Sequence, residues 1–164
     1  LMLRLITLRI SMAFILSRQK MMSLVMNCTN IFGRTIVGLD IYAMETKNAD
    51  PELFAGIKLC GGMLHTDTTS FRGKVYESLV QWMTGDEVTL YQQVIPFDDL
   101  RKLADQFALF FTENPDDTKA QELLNELFYN TKQIDYAHTV DEVRNLLKFF
   151  NVCLDNNLHL RGWW

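Results

Sequence analysis

Thr35-Ile36-Val37-Gly38-Leu39-Asp40-Ile41-Tyr42 is the stretch on which the fold class turns. Its β-branched and aromatic residues suit a strand, but a strand needs neighbours to be stable, and no second strand stands out to pair with it. Extended linker or helix is an equally good reading. The chain is therefore expected to be mainly α, an irregular helical bundle or a short helical-repeat stack, preceded by a basic amphipathic segment.

Downstream the sequence is written in helix signals. Asp50-Pro51-Glu52 combines an N-cap, a proline at the first helical position and an acid near the positive end of the dipole, with Gly61-Gly62 as the stop. A second helix is expected from the Thr68-Thr69-Ser70 cluster to Gly85, with Phe71, Val75, Leu79 and Trp82 as its inward stripe. Glu87 to Ile95 reads as helix or strand, since Val88, Tyr91 and Ile95 fit the helical period. From Asp98 to Thr112, Leu100, Leu103, Ala104, Phe107, Phe110 and Phe111 share one face. Asn114-Pro115-Asp116 ends that helix, and Asp116 or Asp117 opens another whose inward residues are Ala120, Leu123, Leu124, Leu127 and Phe128. Thr139-Val140-Asp141-Glu142 is a capping box, in which the Glu142 side chain reaches back to the cap. It starts a helix carrying Val143, Leu146, Leu147, Phe150 and Leu154 and ending near Asn156-Asn157, before the tail from Leu158 to Trp164. Asp98 to Leu103 echoes Asp141 to Leu146 at a 43-residue offset, with Phe107 matching Phe150. That spacing falls in the range of helical repeats, although two copies are fewer than a stacked core needs.

Upstream, the charge pattern changes. Residues 1–39 carry Arg4, Arg9, Arg18, Lys20 and Arg34 and no acid, a balance of +5. All 20 acidic residues lie from Asp40 onward beside the other 11 basic ones, a balance of −9. Two parts are read from this: residues 1–33, a basic apolar segment, and residues 34–164, an acidic helical domain. The start Met2-Leu3-Arg4-Leu5-Ile6-Thr7-Leu8-Arg9-Ile10-Ser11 has the arginine- and hydroxyl-rich, acid-free composition of a mitochondrial transit segment. Arg4, Thr7, Ser11 and Arg18 fall on one side of a helical wheel, away from Leu5, Leu8, Met12, Ile15 and Leu16, while Arg9 and Lys20 interrupt the pattern. Its uncharged runs, Ile10–Ser17 and Met21–Gly33, are short of the about 20 residues a spanning helix needs. A retained helix against a membrane or partner is the companion reading; a plain amphipathic core helix comes next, and a secretory signal is the weakest competitor. The Asn27-Cys28-Thr29 sequon matters only in a secreted chain.

Length and composition fit this picture. The 164 residues are 48% hydrophobic and 22% charged, with three Pro and eight Gly, as in an ordinary globular chain. Three widely spaced cysteines, Cys28, Cys60 and Cys153, make neither a disulfide framework nor a zinc site and point to a reducing compartment. An acidic body repels phosphate backbones, which disfavours nucleic acid as partner.

Motifs that carry chemistry are sparse. Arg72-Gly73-Lys74-Val75 lacks both the earlier glycine and the following hydroxyl of a phosphate loop, and Gly61-Gly62 lacks the third glycine of a dinucleotide fingerprint. Cys60, His65 and Asp67 are one local set holding a thiol, a base and a carboxylate, the residue types of nucleophilic or metal chemistry. Turn and capping chemistry explains the same loop. His138 and His159 are expected as solvent-facing or capping residues. Trp163-Trp164 must dock on something, either the core, a partner's pocket or a membrane interface. The aromatic excess at Phe107, Phe110, Phe111, Phe149 and Phe150 calls for a second layer or another subunit.

The expected function is that of a non-catalytic accessory or scaffold subunit of a larger mitochondrial inner-membrane assembly of respiratory or ATP synthase type. Its partners are other protein subunits and lipid at a membrane surface, and its place is the inner membrane or the matrix side, with no cofactor, metal or small-molecule substrate. Arg4, Arg9, Phe14, Arg18, Lys20, Trp163 and Trp164 are the expected partner or membrane contacts. The alternatives are a helical-repeat adaptor for a peptide or RNA, and a small enzyme or metal domain built on Cys60, His65 and Asp67.

Overall fold

The computed structural model describes residues 38–44, 49–61 and 69–163. In chain order these form β1 (Asp40–Met44), a single 3-10 turn (Pro51–Phe54), β2 (Ser70–Arg72) and α1 (Gly73–Thr84). Then come β3 (Val94–Ile95), α2 (Phe97–Glu113), α3 (Asp117–Asn125, continued by a π turn Glu126–Asn130), α4 (Val140–Asp155) and β4 (His159–Trp163). The expectation of a mainly α fold, as bundle or repeat stack, is overturned. The four strands make one antiparallel sheet in the order β2-β1-β4-β3, and the helices pack on it in an α+β arrangement.

The partner missing from the 35–42 reading is the C-terminal tail. Asp40 pairs with Trp163, Tyr42 with Arg161 and Met44 with His159, while β2 flanks the other side of β1 through Ile41 and Phe71. The strand itself begins at Asp40, and residues 35–37 lie outside the described part, as does the expected boundary between residues 33 and 34.

Alternation sets what each strand buries. Ile41, Phe71, Ile95 and Leu160 point into the core and are fully buried. Above them lies an aromatic layer. The Phe71 ring meets Tyr76 of α1 edge-on at 5.4 Å and Phe149 of α4 at 5.2 Å, Phe149 meets Phe54 of the 3-10 turn at 4.7 Å, and Phe150 meets Phe107 of α2 at 5.6 Å. Phe149 and Phe150 are thus both buried although adjacent, because Phe149 packs between Phe54 and Phe71 while Phe150 meets Phe71 and Phe107. The aromatic excess finds much of its second layer inside the chain. The two phenylalanines of the 43-residue echo touch each other, as neighbours in a helix pair laid on a sheet.

The helix signals are realised with local corrections. Asp116 caps α3 by accepting from the Thr118 amide at 2.9 Å, and Thr139 caps α4 by accepting from the Glu142 amide at 3.2 Å. Asp50 likewise accepts from the Glu52 amide at 3.0 Å, but the helix expected there closes after one turn. The helix expected from Thr68 starts at Gly73, since Phe71 belongs to β2; Tyr76, Leu79, Val80 and Met83 form its inward side. Gly73 is required there: a Cβ would stand 2.7 Å from the Ile41 side chain and 2.9 Å from Leu39. Gly85 ends the helix at φ 63°, the left-handed cap that glycine adopts without strain.

Candidate interaction surface

Of the contacts expected from the sequence, Arg4, Arg9, Phe14, Arg18, Lys20 and Trp164 lie outside the described residues, and Trp163 stands in β4. Of the thiol–base–carboxylate set, His65 and Asp67 also lie outside. Cys60 is exposed, and its amide donates to the Tyr76 hydroxyl at 2.8 Å. Cys153 is buried in α4, where burial pushes its thiol well up, so it remains the protonated, unreactive form.

The sequence reading missed a polar tie under the aromatic layer. The Tyr76 hydroxyl, besides accepting from Cys60, donates to Glu142 Oε1 at 2.6 Å, and His138 Nδ1 faces Glu142 Oε2 at 3.3 Å. The His138 ring lies stacked on Tyr76 with centroids 5.4 Å apart. His138 is therefore no solvent-facing residue: its side chain is fully buried and its Nε2 has no hydrogen-bond partner. Burial alone would raise the Glu142 carboxyl, but the bonds from His138 and Tyr76, with the nearby Thr139 amide, outweigh it and hold the group below its ordinary value. Burial and the ionised Glu142 push the Tyr76 phenol up, which keeps it a donor. The capping box thus forms with a change of use. Its backbone half is present, while the Glu142 carboxylate fastens α1 and the segment ending at Cys60 to the start of α4.

A second carboxylate works in the opposite electrostatic direction. Glu77 of α1 accepts from the Gln81 side chain at 2.8 Å, the Leu90 amide at 2.7 Å and the Thr89 hydroxyl, which pins the chain between α1 and β3. Here burial wins over the donors, with Asp86 adding to it, and the carboxyl is raised. Between α3 and α4, a cleft of about 530 Å³ is lined by Asp117, Glu122 and Asp141. Gln121, another lining residue, is committed to the His138 carbonyl and the Val140 amide, and Asp117 is held by Arg144, which lowers its carboxyl. Among the described residues, no group of three or more His, Cys, Asp or Glu is arranged to hold a metal ion, and no helix is long and apolar enough to cross a membrane.

The outward side of the sheet differs from these satisfied clusters. β4 presents His159, Arg161 and Trp163 on the side opposite the buried Leu160. Tyr42 and Met44 of β1 flank that row, and Val94 of β3 stands opposite Arg161. Trp163 is 71% exposed and Val94 46%. His159 meets the Phe97 ring at 4.4 Å, whereas Arg161 forms no ion pair among the described residues. On the same side of the sheet, Asp40 is already held by Arg72 Nη1 at 3.1 Å. Arg161 was not among the expected contacts. The signal for it is the period-two pattern Leu158-His159-Leu160-Arg161, which marks a half-buried strand and so assigns His159 and Arg161 to its outer side.

No family model matches the chain, and neither a curated protein nor a solved structure shows significant similarity to it.

Proposed function

We propose that this protein is a non-catalytic accessory or scaffold subunit of a larger mitochondrial assembly, at the inner membrane or on its matrix side. One observation carries the reading: Trp163 is held on a regular, paired strand with 71% of its surface in solvent. Tryptophan offers more apolar area than almost any other side chain, and at protein interfaces it is the typical anchor. A strand that orders it outward has a preformed contact, with little conformational entropy left to lose when a partner covers it.

The charge split supports the location. A head of +5 without acids suits import and attraction to an anionic lipid surface, while a body of −9 suits protein neighbours better than phosphate. The test is extraction from the native source in mild detergent, followed by a native gel and mass spectrometry of the band. The expected result is migration within a large membrane complex, with defined co-migrating subunits. Migration at the mass of one chain would overturn the proposal.

A further inference from the structure

We infer that the outward row of β4 is the docking site for an acidic segment of a neighbouring protein subunit, with Trp163 as its apolar anchor and Arg161 as its charge partner. The inference rests on the subunit reading above and names the chemistry of the contact.

Three observations lead to it. The first is composition: on one sheet face stand the exposed Trp163 and Arg161, of residue types enriched where proteins bind one another, with the exposed Val94 opposite Arg161. The second is sign. The body sums to −9, yet the outward residues of β4 are His159, Arg161 and Trp163, without an acid, and the carboxylate of Asp40 is taken up by Arg72. The third is the state of Arg161 itself, exposed and without an ion pair among the described residues. Covering Trp163 means covering its neighbour two residues away on the same side. A guanidinium removed from water without a counter-charge is strongly disfavoured, so a surface that covers the tryptophan together with Arg161 is best matched by a carboxylate. A bilayer fits less well, because a single arginine adds little attraction to anionic lipid.

The experiment is site-specific photocrosslinking in the full chain. Trp163→p-benzoylphenylalanine is expressed in the native source, irradiated, and the adduct identified by mass spectrometry after native extraction. The expected product is one peptide of one other protein in the complex, containing Asp or Glu near the crosslinked residue. Arg161→Glu should lower adduct yield at least tenfold with the thermal midpoint of the purified chain unchanged, and reversing the partner's acidic residue to Arg should restore it. Adducts confined to lipid, nucleic acid or this chain itself would overturn the inference, as would a yield indifferent to Arg161→Glu. If the chain co-migrates with a complex but residue 163 crosslinks no subunit, the docking site falls and the subunit reading survives. Migration as a single chain removes both.

Discussion

The two sides of the four-stranded sheet are made from alternate residues of the same strands, yet they are built to opposite rules. Inward, Ile41, Phe71 and Leu160 have no exposed surface and meet an interlocked aromatic layer. Outward, Trp163, Val94 and Arg161 stand in solvent. The difference separates two kinds of information: the inward residues of the strands specify the fold, while the outer residues of β3 and β4, Val94, Arg161 and Trp163, are exposed and can specify a contact.

The largest effect should come from the inward layer. Phe149→Ala removes a ring wedged between Phe54 and Phe71 and is expected to cost about 3–5 kcal/mol in urea unfolding. A loss no greater than that of an outward substitution would break the comparison. Next is Gly73→Ala, where the new methyl runs into Ile41 and Leu39 beneath the sheet; about 1–3 kcal/mol is expected from the same measurement.

A pH series sharpens the comparison from below the aromatic layer, because Tyr76 packs edge-on against Phe71 while bonded to Glu142. The Glu142 carboxyl is lowered in the fold, so its stabilisation is complete above the unfolded-chain value of about 4.3 and fades as pH falls through that value toward the folded one. Thermal midpoints of the wild type should therefore drop more steeply between about pH 5 and about pH 3 than those of Glu142→Gln. Glu77, whose carboxyl is raised, works against this trend, and Glu77→Gln should steepen the acid loss. The smallest effect is expected outside. Trp163→Ala should change the stability of the isolated chain by less than about 0.5 kcal/mol, since the ring is mostly in solvent. A larger loss would mean that the residue belongs to the fold, which would remove the contact role.

The sequence showed the helices well and the sheet poorly, for physical reasons. The caps at Asp116 and Thr139 and the stripes of α2 and α4 are local, carried by residues within a turn or two of one another. A sheet is a relation between distant segments. Nothing near Ile41 announces that its neighbours are Phe71 on one side and Gly162 on the other. β3, only two residues long, is too short for any period to show. The Leu158–Arg161 alternation was present but brief, and the large tryptophans after it drew the reading toward a loose tail. The polar tie was hidden in the same way. Thr139 and Glu142 were legible as a cap, but Tyr76 lies a whole helix pair away in sequence, and only folding brings its hydroxyl to that carboxylate. Trp163 stood out in the sequence as a large aromatic that has to be covered by something, while Arg161 needed the strand to give it a side.

The order β2-β1-β4-β3 carries a consequence for how the molecule is made. β1 and β3 do not pair with each other; each pairs with β4, which is the last of the described elements to emerge during synthesis. Until then β3 and the β4-facing edge of β1 present unpaired backbone to their surroundings, a standing invitation to wrong partners. Helices α1 to α4 can form beforehand, but the sheet waits on a contact spanning most of the described chain, and such long closures are slow. Before that closure only the β1–β2 pair of the sheet has both its strands, and the strand that completes the sheet is the one carrying Arg161 and Trp163.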